Sequence, residues 1–208
     1  YKDNKIINAN LLEKLLIPLL VKLGNYVPDG GIWMNTQRPE WNDANNALAG
    51  NGLSMVTTCY IYRYLTFLDE LIKDDLDFRI YNTIKEFFDS ISKVFEKNEK
   101  DLSKDNKTRY KVIEELGRAS ERYRKKVYDL DYGDRVGIKL NDLKRFIFNS
   151  KKQVKATIIN NKRKDGLYNS YNILNFDLDN KLAKIDILDE MLEGQVAILS
   201  SKAIDGKE

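Results

Sequence analysis

The sequence RPEWNDANNALAGNGLSMVTTCYIYRYLTFL, residues 38–68, passes from a strongly polar segment directly into an apolar helix. Its first nine residues hold two carboxylates, three amides, an arginine and a tryptophan. Gly50 and Gly52 let the backbone turn tightly, and Ser54 is a suitable N-cap for the helix predicted over residues 53–73. Because that helix is apolar on more than one face, we expect it to lie in a core and to hold the polar segment rigidly at the rim.

Apolar residues at three- and four-residue spacing predict five further long helices. In the helix over residues 6–23, Asn8 or Asn10 is the expected N-cap, and Gly24 ends the helix. In the helix over residues 141–160, Asn141 is the expected N-cap. These helices are predicted over residues 6–23, 77–97, 107–128, 141–160 and 188–202. Together they indicate a mainly α fold.

Only one β element is predicted, a short hairpin near residues 167–187. Residues 167–177 and 181–187 are β-branched or alternate between apolar and polar, which is typical of paired strands. Residues 25–40 carry several turn-forming residues and are predicted as a long loop. Loops of this length in compact domains are usually functional or disordered, and Trp33 argues against disorder.

Composition narrows the chemistry that the chain can perform. With 35 basic and 32 acidic residues, the net charge of +3 gives no electrostatic reason to expect a nucleic-acid partner. The absence of histidine removes His-based catalytic triads, His general bases and nearly all zinc sites. The single cysteine, Cys59, excludes an internal disulfide. Any acid–base catalysis must therefore use carboxylates, and no cofactor or metal is expected.

No membrane contact is expected. The apolar run over residues 11–23 is too short and too charged to span a bilayer. The chain begins at Tyr1 without an initiator methionine, which suggests a missing N-terminal piece. Because no signal peptide is visible, we expect a cytoplasmic protein.

The polar segment has the side chains that cleavage of a glycosidic bond requires. A carboxylic acid must protonate the leaving oxygen, an aromatic ring covers the apolar face of a pyranose, and amides or arginine bind its hydroxyls. Asp43 is the candidate acid, and Glu40 is either a second site carboxylate or a surface acid. The candidate binding residues are Trp33, Gln37, Arg38, Trp41, Asn42 and Asn46, with Tyr26 and Asn45 as further contacts. The plain alternative is that Asp43 caps a short helix over residues 44–49.

The triplet Trp41-Asn42-Asp43 resembles a motif of the cellobiose phosphorylase family. The likeness extends to Asn46 and to the glycines and serine that open the apolar helix, whereas Glu40 and Ala44 depart from the family's usual residues. It implies a six-hairpin, (α/α)6 toroid that cleaves a glucosidic bond with inversion, with Asp43 as general acid and a disaccharide or oligosaccharide as substrate. Bacterial glycogen-debranching-type enzymes share this fold and a similar loop. Hydrolysis and phosphorolysis both stay open, the second with inorganic phosphate as co-substrate.

Three other segments have a functional and a structural interpretation. Residues 190–195 resemble another helix opening of these barrels, so Glu193 either faces the same cavity or is a first-turn acid that the helix dipole favours. Tyr168 lies in an amide-rich turn that is either a second sugar-contacting loop or an Asp-Gly turn entering a strand. The basic residues of 118–126 are better explained as a solvated, salt-bridged helix face than as a nucleic-acid patch.

The domain organisation follows from the number of helices. Residues 1–208 are predicted as one helical domain. An (α/α)6 toroid needs about twelve helices, roughly twice the number predicted here, so the resemblance implies a fragment of a larger barrel. The rest of the barrel or a homo-oligomer partner would complete it. The competing hypotheses are a non-catalytic helical carbohydrate-binding or scaffold domain and, with less support, a helical adaptor.

Overall fold

The computed structural model of the protein describes residues 7–35, 47–73, 78–97 and 105–204. The helices within these ranges match the predicted ones in number and order. They are α1 Leu11–Leu23, α2 Met55–Leu71, α3 Asn82–Phe95, α4 Asn106–Tyr128, α5 Leu140–Asn160 and α6 Leu192–Ser201.

Local capping chemistry explains where the first two helices begin. Asn10 and Glu13 form a capping box at α1, in which each side chain accepts the other residue's backbone N–H at 2.9 and 2.7 Å. The Ser54 side chain accepts the N–H of Thr57 at 3.0 Å and so caps α2. Ser54 was the predicted cap of α2, and Asn10 was one of the two caps predicted for α1. The prediction for α5 was wrong, because its N-cap is Lys139, without a side-chain hydrogen bond.

A curled five-stranded antiparallel sheet is the main departure from the predicted fold. Its strands are β1 Tyr26–Val27, β2 Gly31–Trp33, β3 Gly52–Ser54, β6 Tyr171–Asp177 and β7 Leu182–Ile187. They lie in the order β1-β2-β3-β6-β7, and every neighbouring pair is antiparallel. The predicted hairpin near residues 167–187 is confirmed as β6 and β7. The prediction of a mainly α (α/α)6 toroid, with no more β structure than that hairpin, was wrong.

The length of the missed strands explains the error. Strands β1, β2 and β3 have two or three residues each. A period of two cannot be recognised over so few positions. What makes them strands is pairing with distant backbone: Leu53 lies opposite Trp33 on one side and opposite Asn172 on the other. The predicted loop over residues 25–40 therefore contributes two strands of a sheet.

A second, two-stranded sheet joins β4 Arg79–Tyr81 to β5 Arg135–Gly137. The fully buried Glu13 of α1 fixes this sheet. Its carboxylate accepts the backbone N–H of Tyr81 at 2.8 Å and the guanidinium of Arg135 at 3.1 and 3.2 Å. Because every oxygen of this buried carboxylate has a donor, its charge is compensated.

Two hydrophobic cores hold these elements together. In the larger one, α2 packs against α5 and α6, and α3 packs against α4. The smaller one lies where α4 contacts the five-stranded sheet, and its fully buried residues are Val27, Leu53, Leu174 and Ala183. Among the described residues, no helix combines the length and the apolar character needed to cross a membrane.

Candidate functional site

The polar segment that was predicted to act on sugars joins β2 to β3. Eight of its predicted site residues lie outside the described residues: Gln37, Arg38, Glu40, Trp41, Asn42, Asp43, Asn45 and Asn46. Residues on both sides of the segment are described: Met34 before it, and Gly50 and Gly52 after it. These residues are paired through their backbones. Met34 donates its N–H to Gly52 at 2.9 Å, and Gly50 donates its N–H to Met34 at 2.6 Å. The pairing of β2 with β3 therefore brings both ends of the segment together, where β2 ends and β3 begins.

The glycines at the end of the segment are required by this geometry. Gly50 has a φ of 96°, in the region that favours glycine. A Cβ on Gly52 would lie 2.5 Å from side-chain atoms of Leu48 and Met34. These two glycines were predicted as turn residues, but the reason for Gly52 is the close approach of the flanking chain.

Trp33 is the last residue of β2 and lies beside these paired ends. Two kinds of contact hold its half-buried indole in place. The indole N–H donates to the backbone oxygen of Gly50 at 2.9 Å. Its ring meets the ring of Phe176 edge-on, with the two ring centroids 5.5 Å apart. The ring of Tyr110 contacts the same Phe176 ring at a centroid distance of 6.1 Å. Trp33 was a predicted binding residue, whereas sequence reasoning missed Phe176 and Tyr110, which lie on β6 and α4.

A small cleft, which we name the Trp33 cleft, separates α4 from the first two strands. It is lined by Gly24, Asn25, Tyr26, Val27, Trp33, Asn35, Ile113, Gly117, Ser120 and Arg124. Its volume is about 50 Å³. Because ligand pockets for whole sugars are several times larger, about 300 Å³ or more, this cleft has room for a substituent of a sugar and not for a pyranose ring.

Two asparagines form one wall of the Trp33 cleft. Asn35 donates from its side chain to the side-chain oxygen of Asn25 at 2.7 Å, and Asn25 donates to the backbone oxygen of Val21 at 2.9 Å. The backbone oxygen of Asn25 accepts the N–H of Trp33 at 2.8 Å. Since each amide nitrogen carries two hydrogens, each keeps one further hydrogen for a ligand. Neither residue was a predicted binding residue.

The opposite wall is the face of α4 that carries Gly117, Ser120 and Arg124. The Ser120 hydroxyl is buried and has no hydrogen-bond partner. Arg124 is exposed, and no acidic side chain of the described residues pairs with it. Neighbouring cations on this helix are paired: Arg118 with Glu114 at 2.8 Å and Lys126 with Glu86 at 2.6 Å. The predicted salt-bridged helix face is confirmed for these two residues, but Arg124 faces the cleft.

The remaining predicted site residues lie away from the Trp33 cleft. Tyr168 is only 4% exposed and packs into the larger core, where its backbone exchanges two hydrogen bonds with the side chain of Gln195. Glu193 is half-buried in the first turn of α6. The next residue, Gly194, donates its N–H to the Ser170 hydroxyl at 3.0 Å, just before β6 begins. Neither Tyr168 nor Glu193 is among the described residues that line the Trp33 cleft.

The wall formed by β1 and β2 is fixed by a buried arginine. Arg109 of α4 donates to the backbone oxygens of Pro28 at 2.8 Å and Ala183 at 2.9 Å. Its guanidinium also lies 3.5 Å from the carboxylate of Asp29, which adopts a positive φ of 62° in the turn between the two strands. This arginine therefore ties α4, the β1–β2 turn and β7 together.

Comparison with known proteins gives no further guide to this site. No model of a known protein family matches the chain, and no curated protein is significantly similar to it in sequence. The resemblance to the cellobiose phosphorylase family stays a prediction based on residues 41–54.

Proposed function

We propose that the chain belongs to a carbohydrate-active enzyme that cleaves a glucosidic bond with inversion, with Asp43 as the proton donor. Hydrolysis and phosphorolysis are both compatible with this proposal. Inversion and the role of Asp43 rest on the resemblance at residues 41–54, and the toroid fold is not part of the proposal. The observation that supports it most directly is the pairing of Met34 with Gly50 and Gly52. This pairing anchors both ends of the segment that carries Asp43.

Anchoring matters because an acid catalyst has to be held within hydrogen-bond reach of the leaving oxygen. Fixing both ends of a segment lowers the conformational entropy that is lost when its side chains are positioned. Beside these paired ends lie the indole of Trp33 and the side-chain amides of Asn25 and Asn35. The indole suits the apolar face of a sugar, and the second hydrogen of each amide suits its hydroxyls. The chemistry of the segment and that of its surroundings therefore agree.

The test is the substitution Asp43→Asn, which keeps the shape of the side chain and removes the proton. Release of glucose or glucose 1-phosphate from β-linked disaccharides and α-glucans is measured. We expect turnover to fall by a factor of about 10² to 10⁴. Asp179→Asn is the matched control, because Asp179 is an exposed acid in the β6–β7 turn. Unchanged turnover in Asp43→Asn would end this assignment.

A second candidate function is non-catalytic carbohydrate binding. The observation that favours it is that no carboxylate is found among the described residues that line the Trp33 cleft. On this alternative, the protein binds a saccharide and shows no turnover, and Asp43→Asn leaves the dissociation constant unchanged within about two-fold. Measuring affinity and turnover on the same preparation separates the two functions.

A further inference from the structure

We infer that the saccharide is acidic and that the Trp33 cleft binds the carboxylate of a uronic acid residue. This inference rests on the proposed function, because it names the class of sugar that the same site would take. It is argued from the volume of the cleft, the donors on its two walls and the exposed glycine on its α4 wall.

The volume restricts what enters the cleft. About 50 Å³ is available, and a buried water needs about 10–15 Å³ measured in this way. The cleft therefore holds a group of a few heavy atoms, such as the carboxylate at C6 of a uronic acid. The ring itself stays outside, next to the indole of Trp33.

The donors that line the cleft match a carboxylate. Arg124 is its ionised lining residue, and no acid among the described lining residues opposes its positive charge. The Ser120 hydroxyl has no hydrogen-bond partner, but it is buried against Gly24 and is not exposed to the cleft, so it is not counted among these donors. Asn25 and Asn35 each keep one amide hydrogen. Arg124, Asn25 and Asn35 therefore place donors on both walls of the cleft, and a carboxylate carries only acceptors when ionised.

Gly117 supports the presence of a ligand in this space. A glycine inside a helix is less favourable than alanine by about 1 kcal/mol. Usually such a glycine is explained by close packing, but no described atom lies within 4 Å of the position that its Cβ would occupy. Gly117 lines the cleft and is exposed, so the missing side chain leaves the mouth of the cleft open on the α4 side. By contrast, a Cβ on Gly24 would lie 2.3 Å from the Ser120 hydroxyl, which is an ordinary packing reason.

The first experiment compares two disaccharides that differ only at C6 of one sugar. Binding of cellobiouronic acid and of cellobiose to the full chain is measured by calorimetry at pH 7. We expect the acid to bind at least about 10-fold more tightly, as one added charge-assisted contact would give. Arg124→Gln is expected to abolish this preference, and Arg124→Lys to restore part of it.

The second experiment fills the cleft without harming the fold. Gly117→Ala places a methyl group at the mouth of the cleft and should raise the helix propensity, so we expect an equal or higher melting temperature together with at least about 5-fold weaker binding of cellobiouronic acid. Gly137→Ala is the matched control, because its Cβ also meets no described atom within 4 Å and Gly137 lies on β5, away from the cleft. The control should leave binding unchanged.

Each contrary result has a distinct meaning. Equal affinity for the two disaccharides, or a preference that survives Arg124→Gln, overturns the uronic acid assignment and leaves the proposed function standing. Displacement of cellobiouronic acid by inorganic phosphate at similar concentration overturns it in favour of a general anion site. If neither disaccharide nor a neutral α-glucan binds, the proposed function fails and this inference fails with it.

Discussion

Asn161 donates from its side chain to the backbone oxygen of Asp29 at 2.8 Å, which joins the end of α5 to the turn between β1 and β2. The same nitrogen donates to the backbone oxygen of Thr157 at 2.8 Å. Its side-chain oxygen accepts from Asn169 at 3.0 Å and from Asn172 at 2.8 Å. One buried amide thus uses both hydrogens and both acceptor sites, and it connects three parts of the chain.

This connection predicts a large effect of Asn161→Ala on stability. Removing the amide leaves buried donors and acceptors without partners, each at a cost of about 1–3 kcal/mol. We therefore expect the free energy of unfolding to fall by about 3 kcal/mol or more, measured by urea denaturation. Asn160→Ala is the control, because the neighbouring Asn160 is exposed and makes one bond, to the Asp29 carboxylate at 2.8 Å. Equal losses in both variants would contradict the prediction.

Arg109→Lys is predicted to be destabilising although it keeps the positive charge. Arg109 is 8% exposed and donates in separate directions to Pro28, Ala183 and Asn106. A lysine ammonium cannot reach three acceptors spread around a planar guanidinium. We expect a loss of about 2–3 kcal/mol in the free energy of unfolding. The exposed Arg122 provides the control, since Arg122→Lys should change stability by less than about 0.5 kcal/mol.

Gly52→Ala and Gly50→Ala are predicted to differ in their effects. At Gly52 a Cβ meets Leu48 and Met34 at 2.5 Å, so the flanking chain must move. At Gly50 the space is open and the cost is the positive φ alone, about 1–2 kcal/mol. We expect Gly52→Ala to lose more stability and to weaken saccharide binding more. Thermal unfolding and calorimetry check this order, and a larger loss in Gly50→Ala would refute it.

Cys59 is predicted to be unreactive and to make stability depend on pH above 9. Burial raises the pKa of its thiol from 9.0 to about 12, despite a hydrogen bond with Ser201. The unfolded state therefore loses the proton first as the pH rises. The contribution is fully present below pH 9 and is lost between pH 9 and 12, by about 1.4 kcal/mol per pH unit.

Comparison with Cys59→Ala isolates this effect from other groups that titrate in the same range. The wild-type free energy of unfolding should fall more steeply between pH 9 and 11 than that of the variant. Native protein at pH 8 should also resist a thiol reagent that modifies it in denaturant. Parallel pH profiles for the two proteins would show that the thiol is not responsible.

The features that the sequence predicted correctly depend on neighbouring residues. Asn10 and Ser54 cap their helices through bonds to residues three positions away. The turn between β6 and β7 is stabilised by Asp177, whose carboxylate accepts the backbone N–H of Asn180 at 3.0 Å. Because such bonds form within one turn of chain, residue type and spacing are sufficient to predict them.

The candidate site residues also divide into one that the sequence made recognisable and others that only the tertiary structure revealed. Trp33 was recognisable because a tryptophan in a polar loop is unusual, whatever the fold. Ser120 and Arg124 looked like members of a solvated helix, and no local pattern distinguishes them from their neighbours. They become cleft residues only because α4 packs beside β1, which places them opposite Asn25 and Trp33.

By itself, the sequence determined six helices, the Ser54 cap and one hairpin, since each follows from local spacing or from the residue types present. It also predicts that any acid–base catalysis would use carboxylates, because the chain has no histidine. Tertiary structure alone decided the five-stranded sheet. Gly52–Ser54 is a strand because it pairs with Ile32 and Trp33 on one side and with residues 171–173 on the other. Those partners are far away along the chain, and the backbone hydrogen bonds that join them leave no trace in the local sequence.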